Sequence, residues 1–341
     1  MGKRITVEDI AKQLEISSMT VSRALNNRPG VSEEMRKRII DTAKELGYRP
    51  NQIAKSLVLK KTYTIGIVIP KMEHFFFPEA LRGIEDVSYE HGYHLILTHS
   101  NEDRERESIA IQTLEAKRVD GILISVSEAG GNIEEYQNVV KAGLPIVFFD
   151  RCVFGIGASC VHINDEGAAR LVTEHLINHE YKRIAHLRGP EGVSIGKERF
   201  NGYKKALEEY NLEYNAHLVV ESGFNDDGGY QAMNKLLNLP RSERPDAVVA
   251  VNDPCAFGAI KSTKQRGLKI PDDIAIVGFT DDPRASIIDP PLTTIRQHAY
   301  TVGKTAARQL LTQIEEESDE IENITVDAEL VVRRSCGCLG F

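Results

Sequence analysis

No stretch of this 341-residue sequence is apolar over the roughly 18 residues that a membrane-spanning helix needs. Met1 to Thr6 is short and polar where a secretory leader would be hydrophobic. Cysteine is scarce: Cys152, Cys160, Cys255, Cys336 and Cys338 are odd in number and dispersed. The expected setting is therefore reducing and cytoplasmic, with free thiols and no membrane. Cys336-Gly-Cys338 has the spacing of half a zinc site, but a second cysteine pair is missing, so no metal is expected. Catalytic signatures are missing too: there is no nucleophile elbow, no His-Glu-x-x-His and no glycine-rich catalytic loop. Gly155-Ile156-Gly157 leads into a strand where a dinucleotide motif would open a helix. Gly189-Pro190-Glu191-Gly192 lacks the Lys-Ser/Thr of a phosphate loop, so both glycine sets read as turns. The ten histidines are scattered, and one such as His186 reads as an interior or surface residue rather than a base. What these absences favour is a binding protein without a cofactor, not an enzyme.

The charge is unevenly spread. Residues 1–61 hold 13 Lys and Arg against 7 Asp and Glu, while the whole chain carries a net charge of -8. A basic head on an acidic body fits a nucleic-acid or membrane partner, although charge alone selects neither.

The first 46 residues carry three helical patterns. Thr6 with Asp9 forms a capping-box pattern ahead of Val7, Ile10, Ala11 and Leu14, which share one helical face. Glu15-Ile16 makes a tight turn. Ser17 is placed to cap a second helix with Val21, Ala24 and Leu25 inward, and Ser32 a third that ends at Gly47. After Pro50, NQIAKSLVLKKT has helical spacing but is too short to hold a helix alone. From Tyr63 the rhythm becomes strand, helix, strand. YTIGIVIP, DGILISV, PIVFFD, DAVVAVND and IAIVGFTD are short apolar runs of the kind found in parallel sheets covered on both faces. Two open sheets in succession imply two lobes and a cleft at the carboxyl ends of the strands.

Helices joined by a tight turn let the second protrude into a major groove about 12 Å wide. Ser18, Met19 and Arg23 fall on its outward face. Arg23 suits a bidentate pair with a guanine edge, and Met19 either an apolar contact to a thymine methyl or plain packing against the duplex. Thr6, Ser17, Thr20, Ser22, Asn26 and Ser32 are short polar residues near helix ends, suited equally to phosphate oxygens and to capping.

At these residues the sequence resembles the LacI/GalR family of bacterial transcription regulators. The resemblance is carried by ITVEDIAKQLEISSMTVSRALNNRPGVSEEMRKRI, GYRPNQIAKSL, FFPEALRGIE, KERFNGYKKAL, VNDPCAFGAI and DPPLTTIRQ, and runs from about residue 4 to about residue 335. It implies an α/β protein with an all-α helix-turn-helix head, a hinge helix and a two-lobed body like the periplasmic sugar-binding proteins. It also implies a homodimer on a pseudo-palindromic double-stranded DNA operator. The chain has no heptad-rich tail of the kind that would support a tetramer. The expected boundaries are 1–49 for the head and 50–61 for the hinge. Lobe 1 takes 62–158 and 292–318, and lobe 2 takes 159–291 and 319–341. The hinge segment is implied to fold on cognate DNA, with Leu57 wedged into the minor groove and Asn51, Ala54 and Lys55 along the groove or its phosphates.

In the body the resemblance implies an effector site. Phe76 and Phe77 match the family's aromatic pair, Arg199 its cleft arginine, Phe224 an aromatic platform, and Asn252 with Asp253 a polar pair after a second-lobe strand. Asp150-Arg151 is either a ligand pair or a crossover salt bridge. Thr280 stands where the family commonly has Asp, with Asp281 and Asp282 beyond it. Val193 and Ile195 replace polar contacts of some relatives. Aromatic faces beside an arginine fork suit a polyhydroxylated ring, so a sugar or sugar phosphate leads, with a purine or a protein partner as alternatives. A solute-binding or enzymatic protein with an unrelated head is the competing class.

Overall fold

The computed structural model of the chain describes residues 5–49, 61–127, 132–316 and 320–338. It divides into two compact units, Met1–Thr62 and Tyr63–Phe341.

In the first unit α1 (Val7–Leu14), α2 (Ser18–Leu25) and α3 (Glu33–Glu45) follow the capping chemistry of the sequence. The Thr6 hydroxyl accepts from the Asp9 N–H while the Asp9 carboxylate accepts from the Thr6 N–H. Ser17 accepts from the Thr20 N–H and Ser32 from the Met35 N–H. Glu15, at φ 56, ends α1 in the left-handed region and turns the chain into α2. Ile10, Val21 and Ile39, one from each helix, are wholly buried together. Each buried aliphatic side chain of this small cluster contributes about 1.5–3 kcal/mol.

The second unit holds two parallel sheets. In the first, the strands are β1 (Thr64–Ile69), β2 (His94–His99), β3 (Gly121–Ile124), β4 (Ile146–Phe149) and β5 (Ser159–Ile163). With β11 (Asn323–Val326) they lie in the order β11-β5-β4-β3-β1-β2. In the second, β6 (Ile184–Arg188), β7 (Val219–Glu221), β8 (Ala247–Ala250) and β9 (Ala275–Val277) lie in the order β7-β6-β8-β9. β3, β4 and β8 are buried along their whole length, which is why they read as unbroken apolar runs. The covering helices in chain order are α4 (Phe76–Glu90), α5 (Arg104–Ala116), α6 (Ile133–Lys141), α7 (Asp165–Asn178), α8 (Ser194–Glu209), α9 (Asp226–Leu237), α10 (Asp253–Gln265), α11 (Arg284–Ile287) and α12 (Ala299–Glu315). α12 returns to the first lobe against α4. A Cβ on Gly83 would lie 2.1 Å from the Tyr300 carbonyl oxygen, so only glycine permits that approach.

Three sequence expectations need correction. Ser159–Ile163, assigned to lobe 2, pairs with β4 in the first sheet, so the first crossover follows Ile163. Asn323–Val326 pairs with β5 and delays the third crossover until after Val326. Between the lobes, β10 (Thr294–Arg296) pairs antiparallel with β12 (Glu329–Val331) as two of the crossing segments. An apolar run states that a strand is buried but not which sheet buries it, and neighbouring-strand pairing is decided by remote residues. Finally, Cys152 and Cys160 form a disulfide and are not free thiols. Positive φ at Gly155 and Gly157 folds the loop back so that the two Cα atoms lie 6.0 Å apart.

Candidate nucleic-acid interface and effector cleft

In the head, Ser18, Met19, Ser22 and Arg23 are exposed on α2, with Met19 65% accessible. Val21 and Ala24, on the other face, hold the helix to α1 and α3. An exposed methionine beside an exposed arginine is what a base-contacting face requires and what folding does not. Ser17 and Thr20 share a hydroxyl hydrogen bond of 2.8 Å, and Asn26 bonds the Ser22 carbonyl, so these polar groups brace the helix ends. Thr6 and Ser32 are caps as well. Sequence reading missed Arg36. From α3 it donates to the Ala24 carbonyl at 2.9 Å and the Arg28 carbonyl at 3.0 Å, fixing the loop after α2. The signal was weak, since an arginine on an amphipathic helix reads as solvated. Asn51, Ala54, Lys55 and Leu57 lie outside the described residues.

The body contains an open cleft between its lobes, about 430 Å³ when the solvent at its mouth is counted. Phe76, Phe77, Asp150, Arg151, Arg199, Phe224, Asn252 and Thr280 line it together. From the first lobe, Phe76 and Phe77 open α4 and meet edge to face, and Phe77 meets Phe149 in the same way. Arg151 follows β4. Its guanidinium pairs with Glu102 at 2.8 Å and lies 4.6 Å over the Phe224 ring of the second lobe. Its Nε is buried without a hydrogen-bond partner. Asp150 lines the cleft and its carboxylate lies 3.9 Å from Arg151, but both residues precede the first crossover, so the pair is not a crossover salt bridge. Burial pushes its carboxyl up to about 7, Arg151 only partly opposing this.

Arg199 enters from α8. It donates to Asp165 at 2.7 Å and to the Val251 carbonyl at 2.6 Å, and stacks 3.7 Å over the Phe279 ring. Both ends of the Asn252 amide are used: its oxygen accepts from the Cys255 N–H and its nitrogen donates to the Phe224 carbonyl, which holds the aromatic platform in place.

Asp253 stands apart from the other sequence candidates. Fully buried behind the wall, it accepts from the Thr294 hydroxyl at 2.6 Å and from the Asp282 N–H at 2.7 Å, so it positions a crossing strand and Asp282. Asp282 itself reaches the cleft beside Thr280. Sequence reading did not assign His74, Phe75, Pro254, Asp282 and Gln297 to the site, and Ile195 it mentioned only as a departure; all six line the cleft. His74 and Phe75 directly precede the aromatic pair, and Gln297 ends the TTIRQ motif, so adjacency was the available signal. Burial and the Arg151 charge hold His74 down to about 4, leaving a neutral imidazole in the cleft. His186 is a core residue, bonding the Val249 carbonyl and stacked on Tyr203.

The arrangement combines aromatic faces, two guanidinium groups held by carboxylates, and amide and carboxyl groups on one concave wall. That is chemistry for gripping a polar ring.

Comparison with known proteins identifies the family. Residues 6–51 match the description "Bacterial regulatory proteins, lacI family", and residues 62–334 match "Periplasmic binding proteins and sugar binding domain of LacI family". The ribose operon repressor of Halalkalibacterium halodurans is 35% identical over 97% of this chain and 96% of its own. Catabolite control protein A of Priestia megaterium is 33% identical over 96% of each chain. The lac repressor dimer bound to operator and the anti-inducer ONPF superposes with a TM-score of 0.85 at 26% identity, covering 98% of this chain and 99% of that one. A complex of the transcriptional regulator CelR with cellobiose gives 0.73 at 30% identity, over 97% and 100%. No helix among the described residues is long and apolar enough to cross a membrane. The chain belongs to the LacI family of bacterial DNA-binding transcription regulators.

Proposed function

We propose that this regulator is a repressor that binds a pseudo-palindromic operator as a homodimer in the cytoplasm. A sugar or sugar phosphate in the interlobe cleft controls its operator affinity, and it works by binding, without catalysis. In this reading residues 1–49 read DNA, 50–61 are the hinge, and the remainder is the sensor. Ser18, Met19 and Arg23 contact bases, and Thr6, Ser17, Thr20, Ser22, Asn26 and Ser32 contact phosphates. Asn51, Ala54, Lys55 and Leu57 act at the minor groove.

The observation that carries the reading is the cleft wall, where Arg199 and Arg151 stand with Asp150 beside Phe76 and Phe224. Rings with hydroxyl edges satisfy such a wall, apolar faces on the phenylalanines and hydroxyls on the charged groups. Arg151 from one lobe already touches Phe224 of the other, so a ligand bridging these groups favours one lobe arrangement. Differential binding of that kind, worth about 1–3 kcal/mol, changes operator affinity some 5- to 150-fold. A purine is the second reading, since the repressor PurR of Mannheimia succiniciproducens is 32% identical over 97% of this chain.

The test is a thermal-shift screen of the protein against pentoses, hexoses, their phosphates and nucleobases, followed by operator binding with each hit. A sugar that raises the melting point and alters operator affinity bears the proposal out. A nucleobase hit alone selects the purine reading. Operator binding that responds only to an added protein refutes small-molecule control.

A further inference from the structure

The Cys336-Gly-Cys338 turn, half a metal site by its sequence, meets the other half across the fold. His175 and His179 lie one turn apart on and just after α7, where an i, i+4 spacing puts both imidazoles on one face. That face receives the C-terminal turn. His175 Nε2 lies 3.3 Å from Cys336 Sγ and 3.6 Å from Cys338 Sγ, and His179 Nε2 lies 2.9 Å from Cys338 Sγ. The ligand atoms of His175, Cys336 and Cys338 all fall within 4.8 Å of one another. Bonds of about 2.3 Å to sulfur and 2.0 Å to nitrogen around a tetrahedral ion separate neighbouring ligand atoms by about 3.5 Å, so His175, Cys336 and Cys338 need a modest contraction, while His179, which meets Cys338 but lies outside that group of three, must move inward to ligate.

Orientation agrees with distance. His179 Nδ1 bonds the His175 carbonyl at 2.7 Å, which leaves Nε2 as the free acceptor pointing at sulfur, as in metal-bound histidines. Gly337, at φ 91, makes the reversal that brings both thiols to the same point, and a Cβ there would meet the Tyr181 hydroxyl at 2.9 Å. We propose that His175, His179, Cys336 and Cys338 form a Cys2His2 site for zinc, which fastens the C-terminal turn to α7 of the second lobe. Two thiols and two imidazoles in a tetrahedral set select zinc over magnesium or calcium, which require oxygen ligands. Each thiol releases its proton on ligation. The clamp acts on the chain directly after β12, where Cys336 also accepts from the Thr293 hydroxyl at 3.0 Å, so a bound ion braces a connection between the lobes.

The test uses the full chain, reduced, freed of any histidine tag and stripped with chelator, then titrated with Co2+ and Zn2+. One equivalent of Co2+ is expected to give thiolate charge-transfer and tetrahedral ligand-field bands that Zn2+ abolishes, and Zn2+ is expected to raise the melting temperature. Cys338→Ser should remove the charge-transfer contribution of that thiolate and lower affinity. His179→Ala, an exposed position, should lower affinity at least about tenfold, a loss already typical when a group that merely supports a ligand is removed. Cys255→Ala should bind as the parent does, because its thiol contacts Ser222 and the Gly223 and Asn225 carbonyls. Absence of stoichiometric Co2+ and Zn2+ binding by the reduced protein overturns the proposal. Binding that persists unchanged in the Cys338→Ser, His179→Ala double variant overturns it as well.

Discussion

Replacing Arg199 with methionine tests how much the ion pair buried at the cleft wall contributes to the stability of the body. The side chains of Arg199 and Asp165 are 3% and 2% exposed, so neither is screened by solvent. Arg199→Met retains most of the length and apolar bulk but leaves the Asp165 carboxylate buried and unpaired and the Val251 carbonyl without its donor. Breaking a buried pair from one side costs about 3–5 kcal/mol, which lowers the melting point of a domain of this size by on the order of 10 °C. Differential scanning calorimetry of the full chain reads this as a shift of the body transition. Adding Asp165→Asn removes the orphaned charge, and most of the loss should return.

The pH dependence follows from the same pair. Burial pushes the Asp165 carboxyl above its ordinary 3.8, and Arg199 opposes this. Without Arg199 the folded-state value rises further. A raised carboxyl contributes stability that is fully present below the unfolded value and is lost as pH rises through the folded value, so the deficit of Arg199→Met should narrow on acidification. A midpoint within about 2 °C of the parent at neutral pH, under roughly 1 kcal/mol, would refute the reasoning.

Three further outcomes are expected. Arg36→Met should strip donors from the Ala24 and Arg28 carbonyls and destabilise the head by about 1–3 kcal/mol, seen as faster amide exchange in α2; unchanged protection would contradict the clamp. Leu57→Ala should weaken operator binding far more than binding to random DNA, and equal losses at matched salt would sink the minor-groove wedge. His186, which burial holds down to about 4, contributes stability present above 6.5 and lost as pH falls through 4. His186→Phe should therefore flatten the acid limb of the stability curve, and an unaltered limb would assign acid unfolding to other groups.

Local chemistry was legible in the order of residues alone. Thr6, Ser17 and Ser32 cap three helices because a side-chain oxygen three residues upstream satisfies a helix-terminal N–H wherever the helix lies in the fold. Apolar runs marked the strands, and adjacent motif residues marked most of the cleft. Pairings between distant segments were not legible. Ser159–Ile163 joined the first sheet because β4 and β11 flank it there, and its own composition suits either sheet. Asp282 and Gln297 came to the cleft wall, while Asp253 withdrew behind it, where it holds the Asp282 N–H. The cysteines show the division most clearly. The sequence by itself determined that residues 336–338 could bend two thiols together and that 175 and 179 share a helix face, because both depend on short-range backbone geometry. Only the tertiary structure decided that these two pairs meet, since packing of the C-terminal turn on α7 joins residues 161 positions apart, and no local periodicity encodes that contact.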